Sequence, residues 1–205
     1  GPHVQALAEE VKKIPLISGR RYVSLLDLGC GTGEMAKHLG ELAAIAVGVD
    51  ATGGMVKLAR RTGRYDVLYD LELMDYITCS EATFDLVVAT GALRWVGNLQ
   101  PFFQAVRGVM HTDSVLACML DKEHSTLAYS VSNHGRYSHH YAYVTDVAAS
   151  EGFQLLNHRT FEWEEAGQPL ALAPQIARDF RVVRHRRSAH RLALVEVLAR
   201  NALDL

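Results

Sequence analysis

The chain has 205 residues, 49% of them hydrophobic, with a formal net charge of −2. That length suits one domain with a substantial core, and the near-neutral charge excludes a general attraction to nucleic acid or to an anionic membrane. Cys30, Cys79 and Cys118 cannot all pair and lack metal-ligand spacing, so free thiols in a reducing, cytoplasmic setting are expected. The apolar runs are short for a transmembrane helix and no signal pattern opens the chain. Gly1-Pro2-His3 reads as a protease-cleavage scar, so the natural start is expected to lie elsewhere.

In chain order, residues 4–13 read as a helix leading to Ile14-Pro15, and residues 22–28 as a buried strand. That strand ends in Asp27-Leu28-Gly29-Cys30-Gly31-Thr32-Gly33, and a helix is expected over 34–42. Glycines directly after a strand permit a sharp turn and a close backbone approach to a ligand. Residues 44–49 read as a second strand ending at Asp50, followed by a helix capped by Thr52 and running to about Arg61. Residues 65–69 read as a third strand ending at Asp70, and 84–89 as a fourth. A helix over 98–110 carries Pro101 in its first turn, where proline is tolerated. Strand 115–120, helix 141–150 and strand 153–163 complete this pattern. Strands alternating with helices predict an α/β fold: a doubly wound, mostly parallel Rossmann-like sheet of six to seven strands, with helices on both faces.

The turn separates two ligand classes. A dinucleotide site needs G-x-G-x-x-G, but Glu34 stands where the third glycine would be. A carboxylate there repels a pyrophosphate and favours a cation such as an amine or a sulfonium, which counts against an NAD-type dehydrogenase. Asp50 follows the first glycine by about twenty residues, the spacing at which a strand-end acid accepts hydrogen bonds from ribose hydroxyls.

The pattern Asp27-x-Gly29-x-Gly31-x-Gly33 resembles motif I of the class I S-adenosylmethionine (SAM) dependent methyltransferases. The resemblance implies SAM as cofactor, with S-adenosylhomocysteine as its product, and methyl transfer as the activity. It implies that Asp27, Gly29, Cys30, Gly31 and Gly33 cradle the methionine part. Asp50, Ala51 and Met55 would border the ribose, with core packing as the other reading of Met55. Asp70 would accept from the adenine amine, and the Leu71 N–H would meet a ring nitrogen. Thr90 and Gly91, leaving the fourth strand, would approach the methionine part.

Leu93-Arg94-Trp95-Val96 resembles a stretch of small-molecule carboxyl methyltransferases, and Arg94 suits a substrate carboxylate. The alternative has Arg94 solvated and Trp95 in the core. Residues 134–141, expected on a loop, hold His134, Arg136, Tyr137, His139, His140 and Tyr141. Adjacent histidines on an extended segment point to opposite faces, so no metal is expected. His134, His139 and Tyr137 are the candidates for catalysis, with histidine as a base titrating near neutrality. Trp95, Arg136 and Tyr141 are candidates for orienting a substrate, and a polar helix-entry loop is the structural alternative.

Residues 133–144, 151–153 and 165–169 are also similar to predicted methyltransferases attached to tetratricopeptide repeats. That resemblance covers roughly residues 20–170. A methyltransferase domain over 1–172 is therefore expected, with 173–205 as an arginine-rich segment and C-terminal helix packed on the same domain. The family closes its sheet with a hairpin, so a seventh strand is either near 180–183 or missing.

Residues 178–191 carry six arginines (Arg178, Arg181, Arg184, Arg186, Arg187 and Arg191) against Asp179. They lack the interleaved aromatics of single-strand binders, so a solvated face, a domain contact or a homo-oligomer contact is expected rather than nucleic acid. The expected function is methyl transfer to a small-molecule O, N or C nucleophile. The alternatives are an RNA or protein methyltransferase using the arginines, and a SAM-binding module without transfer.

Overall fold

The computed structural model describes residues 2–163 and 176–185. Five strands run parallel in the order β3-β2-β1-β4-β5. They are β1 (Val23–Leu28), β2 (Ala43–Asp50), β3 (Val67–Asp70), β4 (Phe84–Ala89) and β5 (Met110–Lys122). Two long strands, β8 (Phe153–Trp163) and β9 (Ile176–His185), extend the sheet as an antiparallel pair, with β9 hydrogen-bonded against β5. A short hairpin, β6 (Tyr129–Val131) and β7 (Tyr137–His139), takes the edge of β5 at Asp121 and Lys122.

Helices cover both faces. Helix α1 (Pro2–Lys12), α2 (Pro15–Ser18) and α3 (Glu34–Leu39) bury Leu7, Val11, Ile17, Met35 and Leu39 against Leu25, Ala46, Leu86 and Val115. On the other face, α5 (Leu73–Cys79), α6 (Gln100–Val106) and α7 (Tyr141–Ser150) pack Ile77, Phe102, Phe103 and Val144 against Leu26, Val47, Val87 and Leu116. Alternate residues of each central strand therefore enter opposite cores, which is why these strands read as continuous apolar runs. The remaining helix, α4 (Gly53–Arg61), links β2 to β3 and buries Val56 and Ala59.

Several expectations change. The seventh strand, expected near 180–183 or missing, is present over 176–185 between β5 and β8 and is longer than expected. Residues 134–141 are not a plain loop: their first part is the turn and second strand of a hairpin. Helix α5 had no counterpart in the sequence reading. Its seven residues are stabilised by burying Tyr76 and Ile77 rather than by propensity. The expected C-terminal helix lies outside the described residues.

The sheet's lower end is fastened at Asp85. One carboxylate oxygen accepts from the Ser24 N–H (2.8 Å) and hydroxyl (2.9 Å), and the other is paired with Arg20 and with His111 Nε2 at 3.0 Å. Burial pushes this carboxyl upward, but the two Ser24 bonds, Arg20 and His111 together hold it below its ordinary value. Its contribution is therefore complete above a pH of about 4, where an unfolded Asp ionises, and is lost as pH falls through the lower folded value. Asp85→Asn is expected to cost about 2–3 kcal/mol at neutral pH. Urea midpoints at neutral and acid pH check this, the variant losing less stability than the parent on acidification.

Candidate active site

The ends of β1 to β4 converge at one edge, where the strand order reverses between β1 and β4, the position at which open α/β sheets bind ligands. After β1 the backbone makes three left-handed residues in alternation, Gly29 (φ 70°), Gly31 (φ 52°) and Gly33 (φ 84°). The turn is pinned to β2, with Gly29 N–H and Cys30 N–H both donating to the Val49 carbonyl (2.8 and 3.0 Å). A Cβ on Gly29 would lie 2.7 Å from Ala92 Cβ, whereas one on Gly31 or Gly91 would meet nothing within 4 Å. The turn is thus closed toward the segment after β4 and open above Gly31 and Gly91.

Asp50 organises the next strand end. Its Oδ2 accepts from Gly31 N–H and its Oδ1 from Thr52 N–H, each at 2.9 Å. Each oxygen keeps a second lone-pair direction, enough for a ribose hydroxyl apiece. Asp50 and Asp70 are register partners on β2 and β3, so two carboxylates stand side by side. Asp70 Oδ2 lies against Gly53, where a Cβ would come within 2.5 Å, so the glycine at the start of α4 admits it. The Leu71 N–H, expected to meet a ring nitrogen, donates instead to the Asp50 carbonyl at 3.2 Å. What Leu71 offers is an exposed apolar side chain, as does Met55 in the first turn of α4, which is not in the core. Ala51 is exposed beside Asp50, and Thr90 and Gly91 are half-buried at the end of β4.

Beneath the turn, Asp27 is fully buried and its Oδ2 accepts from the Tyr65 hydroxyl at 2.6 Å. Tyr65 was not among the residues picked out from sequence. Two signals pointed to it: Gly48 within a run of apolar strand residues, and a tyrosine entering β3.

The acceptor-side candidates separate into groups. Arg94 donates through Nη2 to Asp121 Oδ1 (3.3 Å) in a mostly buried pair, so its charge is already met by an acid at the end of β5. Trp95 is 61% exposed on the rim rather than in the core. His139 is buried, and its Nε2 lies 2.8 Å from the Val96 carbonyl and 3.1 Å from that of Gly97. Both neighbours are acceptors, so Nε2 carries the proton. Tyr137 packs flat enough on Gly97 that a Cβ there would lie 2.6 Å from its ring. Tyr143 adds a third tie, accepting from Leu99 N–H (2.9 Å) and donating to Asn98 Oδ1 (3.2 Å). The hairpin and α7 therefore clamp residues 96–99. His134 is exposed at the hairpin turn, Arg136 is half-buried beyond it, and the Tyr141 ring meets that of His158 at a tilt of 48° with centroids 4.6 Å apart.

Glu123 fastens the hairpin from below. The Ser130 hydroxyl, the Ser125 N–H at 2.9 Å and the Ser138 hydroxyl at 2.8 Å all donate to it, holding its carboxyl down at about 2.

Strand order, glycine turn and paired strand-end acids define the fold of the class I SAM-dependent methyltransferases. Residues 26–118 match the model of the methyltransferase domain family, a span from β1 into β5. Among curated proteins, the chain is 32% identical over 102 residues to the mitochondrial ubiquinone biosynthesis O-methyltransferase of Bos taurus, covering 46% of this chain and 27% of that protein. It is 27% identical over 106 residues to the malonyl-[acyl-carrier protein] O-methyltransferase of Salmonella typhimurium, covering 51% and 41%. The chain thus spans less than half the length of these relatives. Among solved structures, a SAM-dependent methyltransferase from Leishmania major superposes with a TM-score of 0.69 at 14% identity, covering 89% of this chain and 73% of the other. The N-methyltransferase NodS from Bradyrhizobium japonicum gives 0.65 at 13%, covering 90% and 97%.

Proposed function

We propose that this chain transfers a methyl group from SAM to a small-molecule acceptor. The observation that carries the reading is the pair of register-matched carboxylates, Asp50 and Asp70, beside a glycine turn open above Gly31 and Gly91. The site suits the group: Asp50 has lone pairs left for two ribose hydroxyls, Leu71 and Met55 offer apolar surface for a base, and the turn contains no phosphate-binding third glycine. An unpartnered, buried oxygen of Asp27 under the turn matches a cationic ligand above it. SAM supplies a methyl group on a sulfonium, which is electrophilic without further activation.

The protein's part is then positioning. Asp50 and Asp70 fix the adenosine, the glycine turn fixes the methionine part, and the clamped segment 96–99 with rim residue Trp95 borders the acceptor side. Among the residues put forward for catalysis, His139 is assigned here to holding that segment, because its Nε2 donates rather than accepts. His139→Gln keeps an N–H for the two carbonyls, and turnover is expected to stay within about tenfold of the parent. A fall of roughly 10²–10⁴, the range of a lost general base, would restore the base role to this side chain. Arg94 is assigned to the Asp121 pair rather than to a free substrate carboxylate.

The curated relatives, both O-methyltransferases, favour an oxygen nucleophile. The arginine-rich alternative keeps less support, since residues 176–185 are strand backbone inside the sheet. The likeness to tetratricopeptide-linked methyltransferases covers roughly residues 20–170, with the glycine turn Asp27–Gly33 as its most specific part. A cytoplasmic location rests on Cys30, Cys79 and Cys118 forming no disulfide. No described helix is long and apolar enough to cross a membrane. Titration calorimetry with SAM, S-adenosylhomocysteine and NAD tests the cofactor, and binding of NAD alone would overturn it. A methyl-transfer screen against a metabolite extract then finds the acceptor.

A further inference from the structure

We propose that Tyr65 is a positioning residue for the cofactor turn: it holds the Asp27 carboxyl beneath Gly29–Gly33, and binding of the cationic cofactor expels the Asp27 proton, so that affinity rises from acid toward alkaline conditions. The proposal rests on the SAM reading above.

Tyr65 enters the sheet from the α4–β3 connection, and its ring is slotted between two glycines. A Cβ on Gly48 would lie 3.0 Å from one ring edge, and a Cβ on Gly33 would lie 3.0 Å from the other. This slot delivers the phenol oxygen to Asp27 Oδ2 at 2.6 Å, and the Ala36 backbone of α3 bears on the same oxygen. Asp27 Oδ1 is buried with no hydrogen-bond partner. An ionised carboxylate so placed lacks half of the compensation that burial demands, and the protonated form avoids that cost.

The surroundings agree. Burial pushes the Asp27 carboxyl up to about 7, with the Tyr65 hydroxyl pulling it down and the Asp50 charge pushing it up. The groups facing it are Tyr65 before β3, Cys30 in the turn and Asp50 at the end of β2. Burial holds the Cys30 thiol and the Tyr65 phenol far above their ordinary values, so neither titrates near neutrality. A sulfonium or ammonium over the turn supplies the missing opposite charge and favours ionised Asp27. The balance is simple: the Asp27 O–H bond breaks, its proton goes to solvent, and Tyr65 stays the donor to Oδ2.

The test is titration calorimetry of the full chain with SAM, in buffers of differing ionisation enthalpy, from about pH 6 to pH 9. The parent is expected to release about half a proton from this site near pH 7 and almost none at pH 9, with affinity rising up to about tenfold per pH unit below neutrality. The ligand's own amine titrates in the same range, so the variants carry the comparison. Asp27→Asn is expected to remove the site's share of the release. Tyr65→Phe removes the bond that favours ionisation, so its affinity curve moves to higher pH: several-fold weaker near pH 7 and recovering by pH 9. A purely structural tyrosine would weaken binding by one factor at every pH, and that result overturns the proposal. So does equal proton release by parent and Asp27→Asn. Isotope-edited infrared spectroscopy on the parent needs no variant to fold: the protonated carboxyl band of Asp27 should vanish when SAM is added near pH 6.5, and its persistence is equally decisive. Failure to bind SAM at any pH would sink the cofactor reading, whereas SAM binding without this linkage sinks only the role of Tyr65.

Discussion

Asp50→Ala is expected to weaken SAM binding by 10²-fold or more while the protein still folds. Two losses add. The Gly31 and Thr52 N–H groups lose the oxygens that order the turn and the entry to α4. The ribose also loses its acceptors. Hydrogen bonds to a charged group contribute about 1.5–3 kcal/mol each, and every 1.4 kcal/mol is a factor of ten. Calorimetry with SAM and with S-adenosylhomocysteine measures the effect, and both ligands should suffer alike because they share the ribose. An affinity within threefold of the parent would remove Asp50 from the site.

The second large effect separates two glycines of the same turn. Gly31→Ala should abolish binding with little change in melting temperature, because its Cβ enters open space over the turn and meets no protein atom. Only the left-handed φ of 52° costs stability there, about 1 kcal/mol. Gly29→Ala adds to a similar φ a 2.7 Å collision with Ala92 Cβ, within a backbone pinned to Val49. Together these amount to about 2–5 kcal/mol, or a fall of roughly 5–15 °C for a domain of this size. Thermal melts paired with ligand titrations distinguish the two. Equal melting losses for both variants would show that the space above Gly31 is not the ligand's.

The central part of this fold was legible because its signals are local. A strand buried on both faces is an apolar run, and a glycine turn with strand-end acids is written in consecutive residues. The turn and the strand-end acids from Asp27 to Asp70 could be placed from sequence for that reason. The hairpin at 129–139 was missed because its strands are three residues long, and what makes them strands is the edge of β5 rather than their own pattern. His139 resembled a base for the same cause: sequence shows an imidazole but not the carbonyls of Val96 and Gly97, forty residues away, that occupy it. Tyr65 was passed over because its signals, a tyrosine before β3 and Gly48 in a strand, lie in different elements and only the fold brings them together. The arginine run left a strand near 180–183 in doubt because charge in a strand reads like charge on a solvated face.

The ties of Glu10 carry a consequence for how the chain assembles. This carboxylate on α1 accepts from Asn157 and Arg159 of β8, the former 147 positions further along. Burial works against its charge, and Lys13 and Arg159 hold it ionised. As the polypeptide leaves the ribosome, Glu10 is made long before the partners that let it be enclosed. Helix α1 cannot complete this contact with the sheet until β8 has been made. This contact joins α1 to β8 across 147 positions, and pairings this distant along the chain slow folding.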